Sequence, residues 1–267
     1  MKKYQYFYKT IMEVKITILG TGTSQGIPVI GSSHPVCLSN NPKDKRLRVS
    51  AMFEINNKRF IIDCGPDFRQ QMLRQNVSNI NAMLFTHEHA DHTAGLDDLR
   101  PFYFRQGNLL CCMTSRVHKA LKERFSYIFT TVDKYPGVPT LDVYEFEKES
   151  FEIEGVEVIP ILADHGYIPV HGYRIADVAY MTDVKTITAD EKKKLKNLDV
   201  LILNMLRKET HATHLNLKEA LELVRELQPK RTYFTHISHH LGFHDEVQKT
   251  LPENVFLAYD NLEIRSN

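Results

Sequence analysis

The run Thr86-His87-Glu88-His89-Ala90-Asp91-His92 places three imidazoles and a free carboxylate in close succession, directly after the apolar stretch Ala82 to Phe85. A short apolar stretch of this kind reads as a buried strand. The run then leaves the carboxyl end of that strand, where open α/β sheets carry their ligands. Imidazole and carboxylate suit divalent ions held through nitrogen and oxygen, and the adjacent Asp91 and His92 cannot easily share one ion with His87 and His89. The run therefore divides between two ions.

A chain of 267 residues with 42% hydrophobic content suits one compact globule. We expect a single domain over 12–267. Residues 1–11 read as a tail, because Met12 could itself begin the chain. Lys and Arg number 34 against 33 Asp and Glu, and the formal charge of +1 argues against a nucleic-acid partner. No apolar run approaches a membrane span, so no membrane partner and a cytoplasmic location are expected. A homodimer is left open. The four cysteines read as reduced thiols, with Cys64 buried at a strand end.

Strand-like segments are Val14 to Leu19, Ser50 to Ile55, Arg59 to Asp63, Ala82 to Phe85 and Leu110 to Met113. The second half adds Leu141 to Glu145, Phe151 to Ile153, Val156 to Pro160, Gly172 to Ile175, Ala179 to Thr182, Val200 to Leu203 and Thr232 to Thr235. Helices are expected from Pro66 to about Arg74, from about Ala94, and over Val117, Leu121 and Phe125. Thr188 with Glu191, and Asn216 with Glu219, have the spacing of capping boxes that open two more. This order suggests two sheets packed together with helices outside, an α/β (α+β) fold of the αββα sandwich type.

The segments Gly20-Thr-Gly-Thr-Ser-Gln-Gly-Ile-Pro28, Asp63-Cys-Gly-Pro-Asp-Phe-Arg69, His87-x-His89-x-Asp91-His92, Gly95-Leu-Asp-Asp-Leu-Arg-Pro-Phe102 and Phe234-Thr-His-Ile-Ser-His239 occur in this order. Together they resemble the metallo-β-lactamase superfamily, and within it the branch of phosphoribosyl 1,2-cyclic phosphate phosphodiesterases. The resemblance implies that His87, His89 and His165 hold one divalent ion, that Asp91, His92 and His236 hold the other, and that Asp183 bridges them. Zinc or manganese is implied, and iron also fits such ligands. His214, in His211-Ala-Thr-His214, matches the family's proton donor, and Asp63 would orient a metal-bound imidazole. Relatives can carry a further structural zinc on three cysteines and a histidine. Here Ser32, His34 and Cys37 stand at those places with His239 as the fourth partner, and serine is a poor zinc ligand, so the site reads as degenerate, with a zinc on His34, Cys37 and His239 as the alternative.

The implied activity is that of a metal-dependent phosphoric diester hydrolase, in which a metal-bound hydroxide opens a small cyclic phosphodiester. Its partner would be a small phosphorylated substrate. Alternatives on the same fold are an RNA-processing endonuclease and an ester, thioester or lactone hydrolase. A non-enzymatic metal-binding scaffold is a further reading, although scaffolds of that kind lose ligands and every position here is filled. The glycines of Thr21 to Gly26 lack the third glycine of a dinucleotide fingerprint, and Arg46, Arg48 and Arg105 offer phosphate contacts without singling themselves out.

Overall fold

The computed structural model describes residues 13–266, and the expected tail at 1–11 lies outside them. The strands are β1 (Lys15–Gly20), β2 (Ser50–Ile55), β3 (Lys58–Ile62), β4 (Ala82–Leu84), β5 (Leu109–Met113), β6 (Leu141–Glu145) and β7 (Phe151–Ile153). They continue with β8 (Val156–Asp164), β9 (Pro169–Ile175), β10 (Val178–Met181), β11 (Val200–Asn204), β12 (Arg231–Thr235), β13 (Val255–Leu257) and β14 (Glu263–Arg265). They form two seven-stranded sheets, in the orders β14-β1-β2-β3-β4-β5-β6 and β13-β12-β11-β10-β9-β8-β7.

Side chains alternate across each strand, and here both faces are apolar. Ile16, Ile18, Phe53, Phe60, Ile62 and Leu84 of the first sheet meet Tyr173, Ile175, Val178, Tyr180, Val200 and Ile202 of the second in one buried core. The intervening Met52, Ile61, Met83 and Cys111 point the other way, under Phe68, Met72, Val117 and Leu121 of the helices Phe68–Arg74 and Ser115–Arg124. On the second sheet Ala179, Met181, Leu201 and Leu203 lie beneath Ala220, Leu223, Val224 and Leu227 of the helix Leu217–Leu227. The fold is the expected αββα sandwich.

The Asn216–Glu219 capping box forms in full, with the Glu219 N–H donating to Asn216 Oδ1 (2.9 Å) and the Asn216 N–H to Glu219 Oε2 (3.0 Å). The helix expected from Ala94 is instead broken into Ala90–Thr93, a 3-10 turn at Leu96–Leu99, and Arg100–Gln106. Two causes are visible. The Gly95 N–H turns back to the Cys64 carbonyl (2.8 Å), and Pro101 starts a fresh helix at a position where its missing N–H costs nothing. The three-residue strands β13 and β14 were not expected. Among the described residues, no helix is long and apolar enough to cross a membrane.

Strands β3, β4 and β5 run parallel, as do β10, β11, β12 and β13. The loops that leave β3, β4, β8, β10, β11 and β12 meet at one edge of the sandwich, where their side chains approach one another.

Candidate functional site

Asp63 follows β3 in the left-handed region (φ 62°) with its side chain fully buried. Its Oδ1 accepts the Thr86 N–H (2.8 Å), and its Oδ2 accepts both the Thr86 hydroxyl (2.8 Å) and the His92 Nδ1–H (2.7 Å). That last bond fixes the tautomer. His92 carries its proton on Nδ1, and its Nε2 faces Asp183 Oδ2 (3.2 Å) and Asp91 Oδ2 (3.3 Å). The Thr86 hydroxyl has given its proton to Asp63, so it accepts from His87 Nδ1 (3.0 Å). His87 Nε2 is thereby left bare, 3.0 Å from His89 Nδ1.

The loop after β8 repeats this device. His165, after β8, donates its Nδ1–H to the Thr213 carbonyl (2.8 Å) and turns Nε2 toward Asp183 Oδ1 (3.7 Å). His236, after β12, presents Nε2 to Asp183 Oδ1 at 3.2 Å and to Asp91 Oδ2 at 3.9 Å. Asp183 and His236 share the left-handed conformation of Asp63, each with φ 57°, a costly geometry for residues with a Cβ that persists where surrounding bonds impose it. One such restraint is Asn204 at the end of β11. Its amide accepts the Val184 N–H (2.7 Å) and donates to the Val184 carbonyl (3.0 Å), clamping the residue that follows Asp183.

The donor atoms fall into overlapping groups, each within 4.8 Å: His87, His89 and His165; Asp91, His92 and His236; His87, His92 and Asp183; and His165, Asp183 and His214. The residues expected at two ion positions thus converge, with Asp183 between the groups. His214 comes closer than a bystander would, its Nδ1 lying 3.8 Å from Asp183 Oδ1 and its ring stacked on His236 at 4.7 Å.

The electrostatics suit cations. Burial, followed by the neighbouring rings, holds His87 well below the ordinary histidine range and lowers His89 as well, so both lone pairs are available. Burial opposes charge on Asp183, yet His236 and His92 hold its carboxyl well below the usual range; Asp91 is lowered in the same way, chiefly by His92. Burial also lowers His92, but Asp91, Asp183 and Asp63 more than offset it and raise the ring well above its usual value. This is the signature of a carboxylate excess that wants positive charge. The buried atoms His92 Nε2, His236 Nδ1, His236 Nε2 and His214 Nδ1 have no hydrogen-bond partner. Buried nitrogens without partners are costly, and a divalent ion satisfies such atoms. The residues fit divalent metal.

Glycine explains the Asp63-Cys-Gly65 motif. A Cβ on Gly65 would lie 2.0 Å from the Asp91 carbonyl oxygen, so only glycine allows β3 and the histidine loop to come together. The degenerate zinc set behaves differently. His34 Nδ1 accepts the Val36 N–H (3.3 Å) and Cys37 Sγ accepts the Val29 N–H (3.5 Å), so both serve their own turn. His239 stacks edge-on to His34 at 4.9 Å, but these donors are not among the close groups of the described residues. Arg46 is buried on Thr21 and the Ala258 carbonyl, Arg48 pairs with Asp67, and Arg105 caps the Ser78 carbonyl. Thr86, Thr213 and Asn204 escaped the sequence reading. Only Thr86, adjoining the histidine run, left a usable signal there.

Residues 58–237 match the model of the beta-lactamase superfamily domain. A crystal structure described as a new diphosphatase from the PhnP family superposes with a TM-score of 0.89 at 38% identity, covering 95% of this chain and 97% of that one. The chain belongs to the metallo-β-lactamase superfamily and, within it, to the PhnP family. An octanoyltransferase of Porphyromonas gingivalis is 36% identical over 94% of this chain and 51% of its own length. A ribonuclease Z of Metallosphaera sedula is 27% identical over 55% of this chain and 47% of its own. The chain thus spans about half the length of these curated relatives. It has the metallo-β-lactamase fold and a His/Asp cluster able to bind metal.

Proposed function

We propose that this PhnP-family chain is a dinuclear metal-dependent phosphodiesterase acting on a small cyclic phosphodiester of the phosphoribosyl 1,2-cyclic phosphate type. The observation that carries this reading is the pair of donor groups around Asp183 with a further imidazole, His214, at their edge. His87, His89 and His165 would hold one ion, Asp91, His92 and His236 the other, and Asp183 both. Zinc or manganese suits these donors, and iron is compatible. Bound there, two divalent ions supply an activated water and neutralise phosphoryl charge.

In this reading His214 would protonate the leaving oxygen. Burial, and next the His236 ring, push it down to about 2, so the free site holds it neutral. A neutral imidazole still has one N–H to donate. Negative charge building on a bound phosphoryl group favours the protonated form, so the proton donation belongs to the substrate complex. Asp63 and Asn204 do not meet substrate in this scheme; they hold His92 and the Asp183 turn in place.

The ribonuclease Z relative supports a second reading, RNA processing. The near-zero formal charge of +1 gives a long polyanion little purchase. Acyl transfer, suggested by the octanoyltransferase name, would need a nucleophile. All four cysteines are buried, and burial raises Cys64 and pushes Cys112 up to about 12, which leaves those thiols unreactive.

The test is to strip the protein, reload it with zinc or manganese, and assay an aryl phosphodiester, a cyclic ribose phosphate, a precursor tRNA and a thioester. Cleavage of the small phosphodiesters is expected. Two ions per chain with no phosphodiester cleavage would sink the proposal, and preference for the tRNA would favour the second reading.

A further inference from the structure

The loop between β11 and the helix Leu217–Leu227 brings a second imidazole to the site. His211 is half-buried, with its ring centroid 5.0 Å from that of His214, and it belongs to none of the close donor groups among the described residues. Its Nδ1 accepts the backbone N–H of Thr213 at 3.3 Å. A backbone N–H can only donate, so Nδ1 is bare and the ring's proton sits on Nε2. No described residue accepts a hydrogen bond from that Nε2–H.

Thr213, which meets the ring at Nδ1, is itself anchored. The Thr213 carbonyl accepts from His165 (2.8 Å), and a Cβ on Gly166 would lie 2.5 Å from Thr213 Cγ2, so the two loops are in close contact. The groups facing His211 are the cations Arg207 and Lys185 and the rings of His165, His214 and His236. Burial, followed by Arg207, holds the His211 ring below its usual range. A neutral donor with a fixed proton, bordered by positive charge, is suited to an anionic oxygen.

We propose that His211 is a substrate-binding residue whose Nε2–H donates to a non-bridging phosphoryl oxygen; the phosphate class rests on the phosphodiesterase reading above. A hydrogen bond to a charged oxygen accounts for about a tenfold to hundredfold gain in binding or rate.

Two conservative variants separate this role from a purely structural one. His211→Asn keeps an acceptor for the Thr213 N–H but has no atom where Nε2 stood. His211→Gln places an amide N–H near the Nε2 position but gives up the acceptor at Nδ1. Zinc-loaded wild type and both variants are compared by metal content, by calorimetric binding of inorganic phosphate, and by kcat and KM on an aryl phosphodiester. The expected result is unchanged metal content throughout, phosphate bound about tenfold to a hundredfold more weakly by His211→Asn, and His211→Gln within a few-fold of wild type. Wild-type behaviour in His211→Asn, equal losses in both variants, or metal lost from His211→Asn overturns the proposal. The phosphate measurement does not depend on turnover. A wild type that binds phosphate without cleaving any diester therefore refutes the activity and still reads the role of His211.

Discussion

Replacing Asp63 with asparagine tests the logic of the site at one atom. Asparagine is nearly isosteric and tolerates the left-handed backbone at φ 62° better than most residues, so the turn itself should survive. Its Oδ1 can still accept the Thr86 N–H. The new amide NH2, however, stands where Oδ2 took the His92 Nδ1–H (2.7 Å) and the Thr86 hydroxyl (2.8 Å). Donor then meets donor. The least costly relief moves the His92 proton from Nδ1 to Nε2, which extinguishes the lone pair aimed at Asp91 and Asp183. A lost hydrogen bond to a charged group is worth about 1.5–3 kcal/mol, or about tenfold to a hundredfold in affinity, the range found when the partner of a metal-bound histidine is removed. Thr86 Oγ1 has two lone pairs and can keep accepting from His87, so the His87 group should suffer less. Calorimetric titration of stripped protein with zinc should therefore show one of two sites weakened by about tenfold to a hundredfold, with the thermal midpoint of the metal-free chain little changed. Two sites of wild-type affinity, or equal weakening of both, would refute the tautomer argument.

Three further outcomes are expected. His214→Ala should lower diester turnover by about 10²–10⁴-fold while metal content, read by mass spectrometry, stays the same; loss of an ion would make His214 a ligand, as its place beside His165 and Asp183 permits. Gly65→Ala should destabilise the chain by about 1–3 kcal/mol in urea unfolding, because the added methyl would lie 2.0 Å from the Asp91 carbonyl oxygen. His244 is buried neutral beside Arg46, and burial followed by that guanidinium pushes it to about 4 from the ordinary 6.5. A depressed histidine leaves the unfolded chain binding more protons between these values, so its contribution is present above pH 6.5 and lost as pH falls toward 4. The stability of wild type relative to His244→Asn should drop by up to roughly 3 kcal/mol across that window, and a difference independent of pH would contradict the argument.

The histidine run was readable because four donors and a preceding strand lie within one short segment. His165, Asp183 and His214 stand in separate loops, and only their resemblance to a family marked them. Short β13 and β14 escaped because three residues carry almost no periodicity, and each is stabilised by a neighbour distant in the chain: Leu257 pairs with Phe234, and Ile264 with Ile16. The broken helix after Asp91 was misjudged for a similar reason, since the Gly95 N–H is claimed by Cys64, thirty-one residues earlier.

By itself, the sequence determined the chemistry of the donors and the two-sided apolar strands that demand a layered fold. Both are local properties, a matter of residue type and of a period of two. Tertiary structure alone decided which nitrogen of His92 and of His165 faces inward, because Asp63 and Thr213 reach these rings from 29 and 48 residues away. It also imposed the left-handed turns at Asp63, Asp183 and His236. Asp and His enter that region more readily than most residues with a Cβ, yet local preference is too weak to impose it, and the turns persist because bonds from neighbouring strands hold them.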